Sequence, residues 1–310
     1  MAFSVISSKT HDNIMRELEF VKYLTCKFRA KKPVVKGIGD DAAVLEYTKN
    51  KYMLVTCDMI IEGTHFTKKT HPREIGYKAM AVNISDIAAM GGIPRHALIS
   101  AGVAKSRNAQ FLKEIMCGIE ALAKKFNINI IGGDTNRSPK TVINITLMGE
   151  IEKKNLVLRS GARAGDLIFV TGALGEGKSK HLNFIPRVKT ARTLVKNFKI
   201  TSMMDISDGL AMDINRLAEA SKKGACVYES LIPLSKESLP IKKAITSGED
   251  FELLFTASLK ESKKIIKRMG KTGDLPITLI GEIMPRRFGI KIVEENGKQT
   301  ALKPRGFEQL

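Results

Sequence analysis

The 310-residue chain contains no tryptophan, five tyrosines and four cysteines. Cys26, Cys57, Cys117 and Cys226 are widely spaced and form no C-x-x-C pair, which argues against a zinc or disulfide framework and fits a reducing compartment. Five histidines without paired spacing give a zinc hydrolase little to work with. No apolar run approaches the ~20 residues of a membrane helix. The opening Met1-Ala2-Phe3-Ser4-Val5 lacks the basic-then-apolar order of a signal peptide. A cytoplasmic location without membrane contact is therefore the expectation. Acidic residues are also scarce, 32 against 51 basic, for a net charge of +19. That excess invites a nucleic-acid partner, but the lysines are scattered in small clusters such as Lys31-Lys32 and Lys222-Lys223, with no reading motif beside them. A solvated surface that also draws in small polyanions, with no specific nucleic acid, is the expectation.

The few carboxylates present are placed in a pattern. Four apolar stretches end in glycine and aspartate: Gly37-Ile38-Gly39-Asp40-Asp41, Gly132-Gly133-Asp134-Thr135, Asp205-Ile206-Ser207-Asp208-Gly209 and Gly248-Glu249-Asp250. Asp58 follows the strand-like Met53-Leu54-Val55-Thr56, and Asp86 sits inside an apolar helix pattern. A carboxylate embedded there must be solvated, paired or metal-bound. Asn83 and Asp86, three apart, project from one helix face. Glycine before Asp134 would let backbone approach a phosphate while the carboxylate holds a cation. Carboxylates gathered where backbone meets ligand suit hard cations, which in enzymes commonly serve bound phosphates. Turn formation at Gly39-Asp40-Asp41 and helix capping by Ser207 or Asp208 are the plainer alternatives.

Strand and helix patterns alternate along the whole chain, and 43% hydrophobic content allows two cored domains. The spacing predicts strands over 52–57, 97–103, 128–131, 141–151, 166–171, 251–256, 277–283 and 289–293, and helices over 72–90, 108–126, 207–221 and 259–269. The polar, basic segment 152–166 reads as an interdomain connection. The expectation is an α/β chain of α+β type, with one domain over 1–152 and another over 153–310. Residues 83–90 and 205–212 match at five of eight positions, through chance or because both face one ligand. Gly172-Ala-Leu-Gly-Glu-Gly-Lys178-Ser179 fits a P-loop after a strand, but Pro186 leaves room for barely two helical turns.

The ordered set of segments resembles the thiamine-monophosphate kinases, a family within the aminoimidazole-ribonucleotide-synthetase-like ATP-binding superfamily. The segments that carry the resemblance are residues 37–44, 56–66, 78–91, 132–135, 158–166, 205–210 and 248–253. The resemblance implies an N-terminal sheet domain that helps form a homodimer and a C-terminal α/β domain, with ATP and several Mg²⁺ ions in the cleft. It implies metal ligation by Asp40, Asp58, Asp86, Asp134, Asp205 and Asp208, with oxygen contacts from Thr56 and Cys57, the latter through its carbonyl. Asp205 and Asp208 would carry catalysis. Gly133, Asp134, Arg159 and Ser207 would contact ATP, and His65, Glu249 and Phe307 the thiamine part. The implied reaction is ATP-dependent phosphorylation of thiamine monophosphate to thiamine diphosphate. Another activity of the superfamily, such as aminoimidazole ribonucleotide synthesis, a P-loop NTPase and a basic nucleic-acid-binding protein are the alternatives. Cys57 stands where the family has a hydroxyl residue, and Ser247 where it has glycine, which leaves the local backbone path open.

Overall fold

The computed structural model describes residues 17–175, 181–236, 240–272 and 275–307. After helix α1 (Glu17–Lys27), strands β1 (Val34–Lys36), β2 (Ala43–Glu46) and β3 (Lys51–Ile61) lead to helix α2 (Pro72–Ala89). Strand β4 (Ile93–Ala104), helix α3 (Ala109–Phe126) and strands β5 (Asn129–Ser138) and β6 (Val142–Glu152) complete the first half. Its six-stranded sheet has the order β1-β2-β3-β6-β4-β5, parallel only between β4 and β5. Residues alternate along β3, with Leu54, Thr56 and Ile60 buried beneath α2 and Cys57 and Met59 on the open face.

Pro72 at the first position and a His71 side chain accepting from the Arg73 N–H start α2. The helix is apolar around its circumference, and a helix of that kind must be buried on every side. Accordingly it packs on β3, β6 and α3 and, through Ala88 and its C-terminal end, on the second half of the chain. Two glycines bring α2 and α3 together: a side chain at Gly76 would meet the Ile115 carbonyl at 1.9 Å, and one at Gly118 the Arg73 carbonyl at 2.0 Å.

The second half comprises β7 (Leu167–Thr171), α4 (Val188–Asn197), β8 (Ile200–Asp205), α5 (Leu210–Ser221), β9 (Gly224–Tyr228) and α6 (Ile241–Ala244). It continues with β10 (Leu253–Ala257), α7 (Leu259–Thr272), β11 (Ile277–Met284), β12 (Ile290–Val293) and β13 (Gln299–Ala301). The seven-stranded sheet, ordered β13-β12-β9-β11-β7-β10-β8, is mixed, with β12 parallel to β9. One core lies between this sheet and α5, another between it and α4 and α7. Arg192 of α4 ties the halves together, donating to the Gly91 carbonyl at 2.7 Å and to both Glu152 oxygens at 2.8 Å.

Several expectations change in detail. The helix expected from 207 starts at Leu210, with Gly209 as a cap that makes no side-chain hydrogen bond, so neither Ser207 nor Asp208 caps it. The strand expected to end at Ile131 runs through Gly132, Gly133 and Asp134 to Ser138. It is an exposed edge strand rather than a buried one, because among the described residues no strand pairs beyond it. Gly133 is required by packing: a side chain there would lie 1.8 Å from the Ile99 carbonyl oxygen of β4.

Candidate active site

A cavity of about 920 Å³ opens between the two halves. The loop after β1 brings Asp40 and Asp41, β3 brings Thr56 and Asp58, α2 brings Asp86, and the end of β8 brings Asp205. One carboxylate oxygen from each of Asp41, Asp86 and Asp205 lies within 4.8 Å of the others. Thr56 donates its hydroxyl to Asp86, and Ser85 donates to Asp205 at 2.5 Å. The second contact joins the two segments, 83–90 and 205–212, that echo each other in sequence. Asn83 holds the strand opposite, its Oδ1 accepting from the Asp58 N–H at 3.0 Å.

Crowding of buried negative charge dominates the electrostatics. Burial, then repulsion from Asp41, pushes Asp40 up to about 6. Burial and Asp41 push Asp205 up to about 7, against the hydrogen bond from Ser85 and the charge of Arg159. Asp86 is raised well above the usual carboxylate range by burial, Asp58 and Asp205. Arg159 is the main compensation: Nη2 donates to Asp41 Oδ1 at 2.7 Å, and its backbone N–H donates to Asp40 Oδ1 at 3.0 Å. Asp40 Oδ2 and Asp41 Oδ2 are buried without a hydrogen-bond partner, the former 3.6 Å from the Lys36 ammonium. Hard oxygens aimed inward with spare lone pairs fit divalent cations such as Mg²⁺.

Farther along the cavity the carboxylates have partners. Asp208 and the fully buried Asp213 share Arg216, and Asp213 Oδ2 also accepts the Asp208 N–H at 3.1 Å. Glu249 accepts from the buried Lys78 and from His181 at 3.1 Å. Burial works to raise the Glu249 carboxyl, but His181 and Lys78 outweigh it and hold it below its ordinary value. Burial, reinforced by Lys78, lowers His65, whose Nδ1 accepts from the Ile61 N–H at 3.0 Å. The neutral ring therefore presents its other nitrogen as a donor. The His65 and Phe307 rings meet edge-on with centroids 6.2 Å apart. Glu249 adopts φ +62°, a strained backbone held by its N–H donating to the Ser207 carbonyl at 2.7 Å. Ser247, by contrast, is not among the positive-φ residues and donates its hydroxyl to Ala244, so glycine is not required there.

Residues 39–151 match the AIR synthase related protein N-terminal domain, and residues 175–293 match its C-terminal domain. The thiamine-monophosphate kinase of Buchnera aphidicola subsp. Acyrthosiphon pisum is 36% identical over 302 residues, covering 88% of this chain and 92% of that one. That of Bacillus subtilis is 34% identical, covering 94% and 99%. The chain belongs to the thiamine-monophosphate kinase family. Among solved structures, AaThiL complexed with AMPPCP and TMP superposes with a TM-score of 0.81 at 27% identity, over the whole of both chains. The Aquifex aeolicus thiamine monophosphate kinase gives 0.75 at 27% identity, covering 92% of this chain and 98% of that one. A hydrogenase-maturation HypE–HypF complex shares the fold alone, at 16% identity.

Most residues that the family resemblance singled out line the one cavity: Asp40, Thr56, Cys57, Asp58, His65, Asp86, Arg159, Asp205, Ser207, Asp208, Glu249 and Phe307. Asp134 and Gly133 do not. Asp134 pairs in register with Ser100, which lies opposite Asn144 and then Met59, so it shares the open face of the sheet, not the covered face of Asp58. The exposed Cys57 thiol also points to that open face, donating to Asn144 Oδ1 at 3.3 Å, which leaves only its carbonyl for the cavity side. The P-loop-like Glu176, Gly177, Lys178 and Ser179 lie outside the described residues. Beside them, the Gly175 N–H donates to Asp250 at 2.9 Å, and no helix begins among the described residues until Val188. Sequence reasoning passed over Asp41, Lys78, Asp213 and Arg216. Lys78, Val82 and Asp86 recur at four-residue spacing and all reach the cavity, a helix-face signal that could have found Lys78.

Proposed function

We propose that this chain transfers the γ-phosphoryl group of ATP to thiamine monophosphate, giving thiamine diphosphate and ADP. The observation that carries the reading is one cavity with two unlike ends. Asp41, Asp86 and Asp205 crowd at the first, and His65, Glu249 and Phe307 gather at the second. Family membership and the fold shared with a complex of AMPPCP and TMP support it.

The acceptor oxygen belongs to a phosphate and is anionic at neutral pH, so the step asks for alignment and screening more than for a base. Two unit charges ~4 Å apart repel by about 4 kcal/mol at intermediate dielectric, and two polyanions multiply that. Asp40, Asp41, Asp58, Asp86 and Asp205, with Thr56 and the Cys57 carbonyl, would hold the Mg²⁺ ions. Bound Mg²⁺ supplies charge neutralisation between donor and acceptor phosphates. Asp205, between the domains, orients that set. Arg159 fixes Asp40 and Asp41 and offers its charge to the nucleotide, with Ser207 beside it. Glu249 faces the cationic thiazolium, Phe307 and His65 pack on its rings, and Lys78 keeps Glu249 ionised and aimed.

We further read residues 1–152 and 153–310 as the two domains of a cytoplasmic enzyme that works as a homodimer. Open-face and edge residues of the first sheet, Met59, Leu98 and Ile131, are exposed apolar groups suited to a second copy. On that copy's site Asp134 and Gly133 would find the role they lack within one chain. Sedimentation velocity tests the dimer, with a monomer at working concentration as the contrary result. The activity is tested by ADP release across candidate phosphate acceptors, with and without Mg²⁺. Release that depends on both thiamine monophosphate and Mg²⁺ is expected. Release indifferent to the acceptor sinks the reading.

A further inference from the structure

The second helix of the second half, α5, sets a fixed positive charge against Asp208. Arg216 lies one turn after Asp213 on α5, and Asp208, in the loop just before the helix, comes back to the same guanidinium. A single guanidinium nitrogen, Nη1, donates to Asp208 Oδ2 and to Asp213 Oδ1, the latter at 3.1 Å. Asp213 is fully buried and Asp208 is 7% exposed, so neither can rely on water to offset its charge. A guanidinium in a protein cannot be neutralised by losing its proton, and its planar fork is suited to buried carboxylates. This differs from the neighbouring cluster, where Asp40 Oδ2 and Asp41 Oδ2 are buried without a hydrogen-bond partner.

We propose that Arg216 takes the cation position at Asp208, so that this end of the cavity is neutralised by the chain itself and Asp208 holds no divalent ion. The proposal rests on the kinase reading for the presence of metal at Asp41, Asp86 and Asp205, and replaces the metal role that the resemblance assigns to Asp208. Two requirements follow. A divalent ion at Asp208 would have to share that carboxylate with Arg216 or displace the guanidinium from it. A displaced guanidinium would then stand in a cavity already lined by Arg159. Arg216 acts here as a positioning residue, keeping Asp208 and the Phe307 N–H that donates to its carbonyl at 3.0 Å in place.

The test counts metal rather than turnover. Mn²⁺ bound per full-length chain in the presence of AMPPCP is measured by electron paramagnetic resonance of the free ion, for wild type, Asp208→Asn and Arg216→Met. Wild type and Asp208→Asn should bind the same number of ions, and Arg216→Met should bind one more. Should Arg216→Met fail to fold, as judged by circular dichroism, Arg216→Met with Asp213→Asn removes the stranded buried charge and should show the same gain. Loss of one ion in Asp208→Asn overturns the proposal, as does absence of any gain in a folded Arg216 variant. Wild type that binds Mn²⁺ but does not phosphorylate thiamine monophosphate would instead overturn the kinase reading, leaving the ion count intact.

Discussion

At one end of the cavity Asp41, Asp86 and Asp205 crowd together with Arg159 and two hydroxyl groups as their main compensation. At the other end Asp208 and Asp213 share Arg216, and Glu249 takes both Lys78 and His181. The carboxylate chemistry is the same, and the number of cationic partners within the chain differs. Three carboxyls of the first end, Asp40, Asp86 and Asp205, are pushed upward, chiefly by burial and mutual repulsion. At the second end Glu249 is held down by its partners, while burial and Asp208 raise the fully buried Asp213 against the charge of Arg216. Such an arrangement is relieved by protonation or by a cation from outside the chain. Electrostatic strain of this kind concentrates at functional sites. Under the proposed function, the first end is the one that takes external cations, and the second keeps its shape through Arg216, Lys78 and His181.

The strongest way to break this contrast is Asp205→Asn. Amide for carboxylate keeps an oxygen to accept from Ser85 while removing one charge from the crowd. Turnover should fall on the order of 10²- to 10³-fold, the usual scale for losing one element of charge stabilisation. The metal-free protein should at the same time gain stability at pH 8, by about 3 °C in melting temperature, because a carboxyl raised to about 7 is ionised there at a cost. Steady-state kinetics with a melting scan in chelator checks both. Lower activity together with lower stability would show that Asp205 is a structural group.

The compensated end should respond in the reverse sense. Glu249→Gln leaves the buried Lys78 ammonium without its counter-charge, so the fold should lose stability. Because a thiazolium would also lose its facing charge, KM for thiamine monophosphate should rise about tenfold, with KM for ATP within about twofold. Equal increases in both constants would mean that Glu249 acts on the general shape of the cavity.

This contrast was only half legible in the sequence. Apolar strand and helix periods gave α2, α3 and β6 nearly to their ends, since local patterning decides them, but stopped β3 at Cys57, whereas Asp58 lies within the strand rather than after it. Asp86 announced itself as a charge within an apolar helix. Asp41 did not, because Asp40 and Asp41 are adjacent and only the loop's path decides which one turns toward Asp86. Asp213 and Arg216 gave no signal, because an i, i+3 pair is ordinary on a helix surface and only packing buries that turn of α5. Asp134 lies away from this chain's cavity for a reason the sequence does not show locally. Its Gly-Gly-Asp context resembles a ligand turn, but strand pairing fixes its face, and pairing partners are not written locally.

The pH dependence of stability sharpens the comparison at a smaller scale. For Asp40 and Asp205, raised in the fold to about 6 and about 7, the folded state binds more protons than the unfolded state from roughly pH 4 upward. Their contribution is therefore fully present below the unfolded value and is lost as pH rises through 6 to 7. Melting temperature of the chelated protein should fall by about 5 °C from pH 5 to pH 8, and saturating Mg²⁺ should remove most of that fall. A drop that persists unchanged with Mg²⁺ would separate the bare carboxylates from metal binding.

The smallest expected effect bears on whether phosphate is handled at this cavity at all. Lys178 completes a P-loop pattern, and if that pattern held the nucleotide, the contrast between the two cavity ends would have nothing to do with catalysis. A P-loop works by launching a helix whose first N–H groups cradle phosphate. Here the Gly175 N–H is already given to Asp250, and residues 181–187 form turn and coil before α4 begins. Lys178→Ala should accordingly change kcat and KM for ATP by less than about twofold, whereas loss of a P-loop lysine removes the charge that holds the β- and γ-phosphates. Steady-state kinetics with ATP as the varied substrate decides it. A collapse in turnover would move the nucleotide to that loop and leave Asp41, Asp86 and Asp205 without their proposed work.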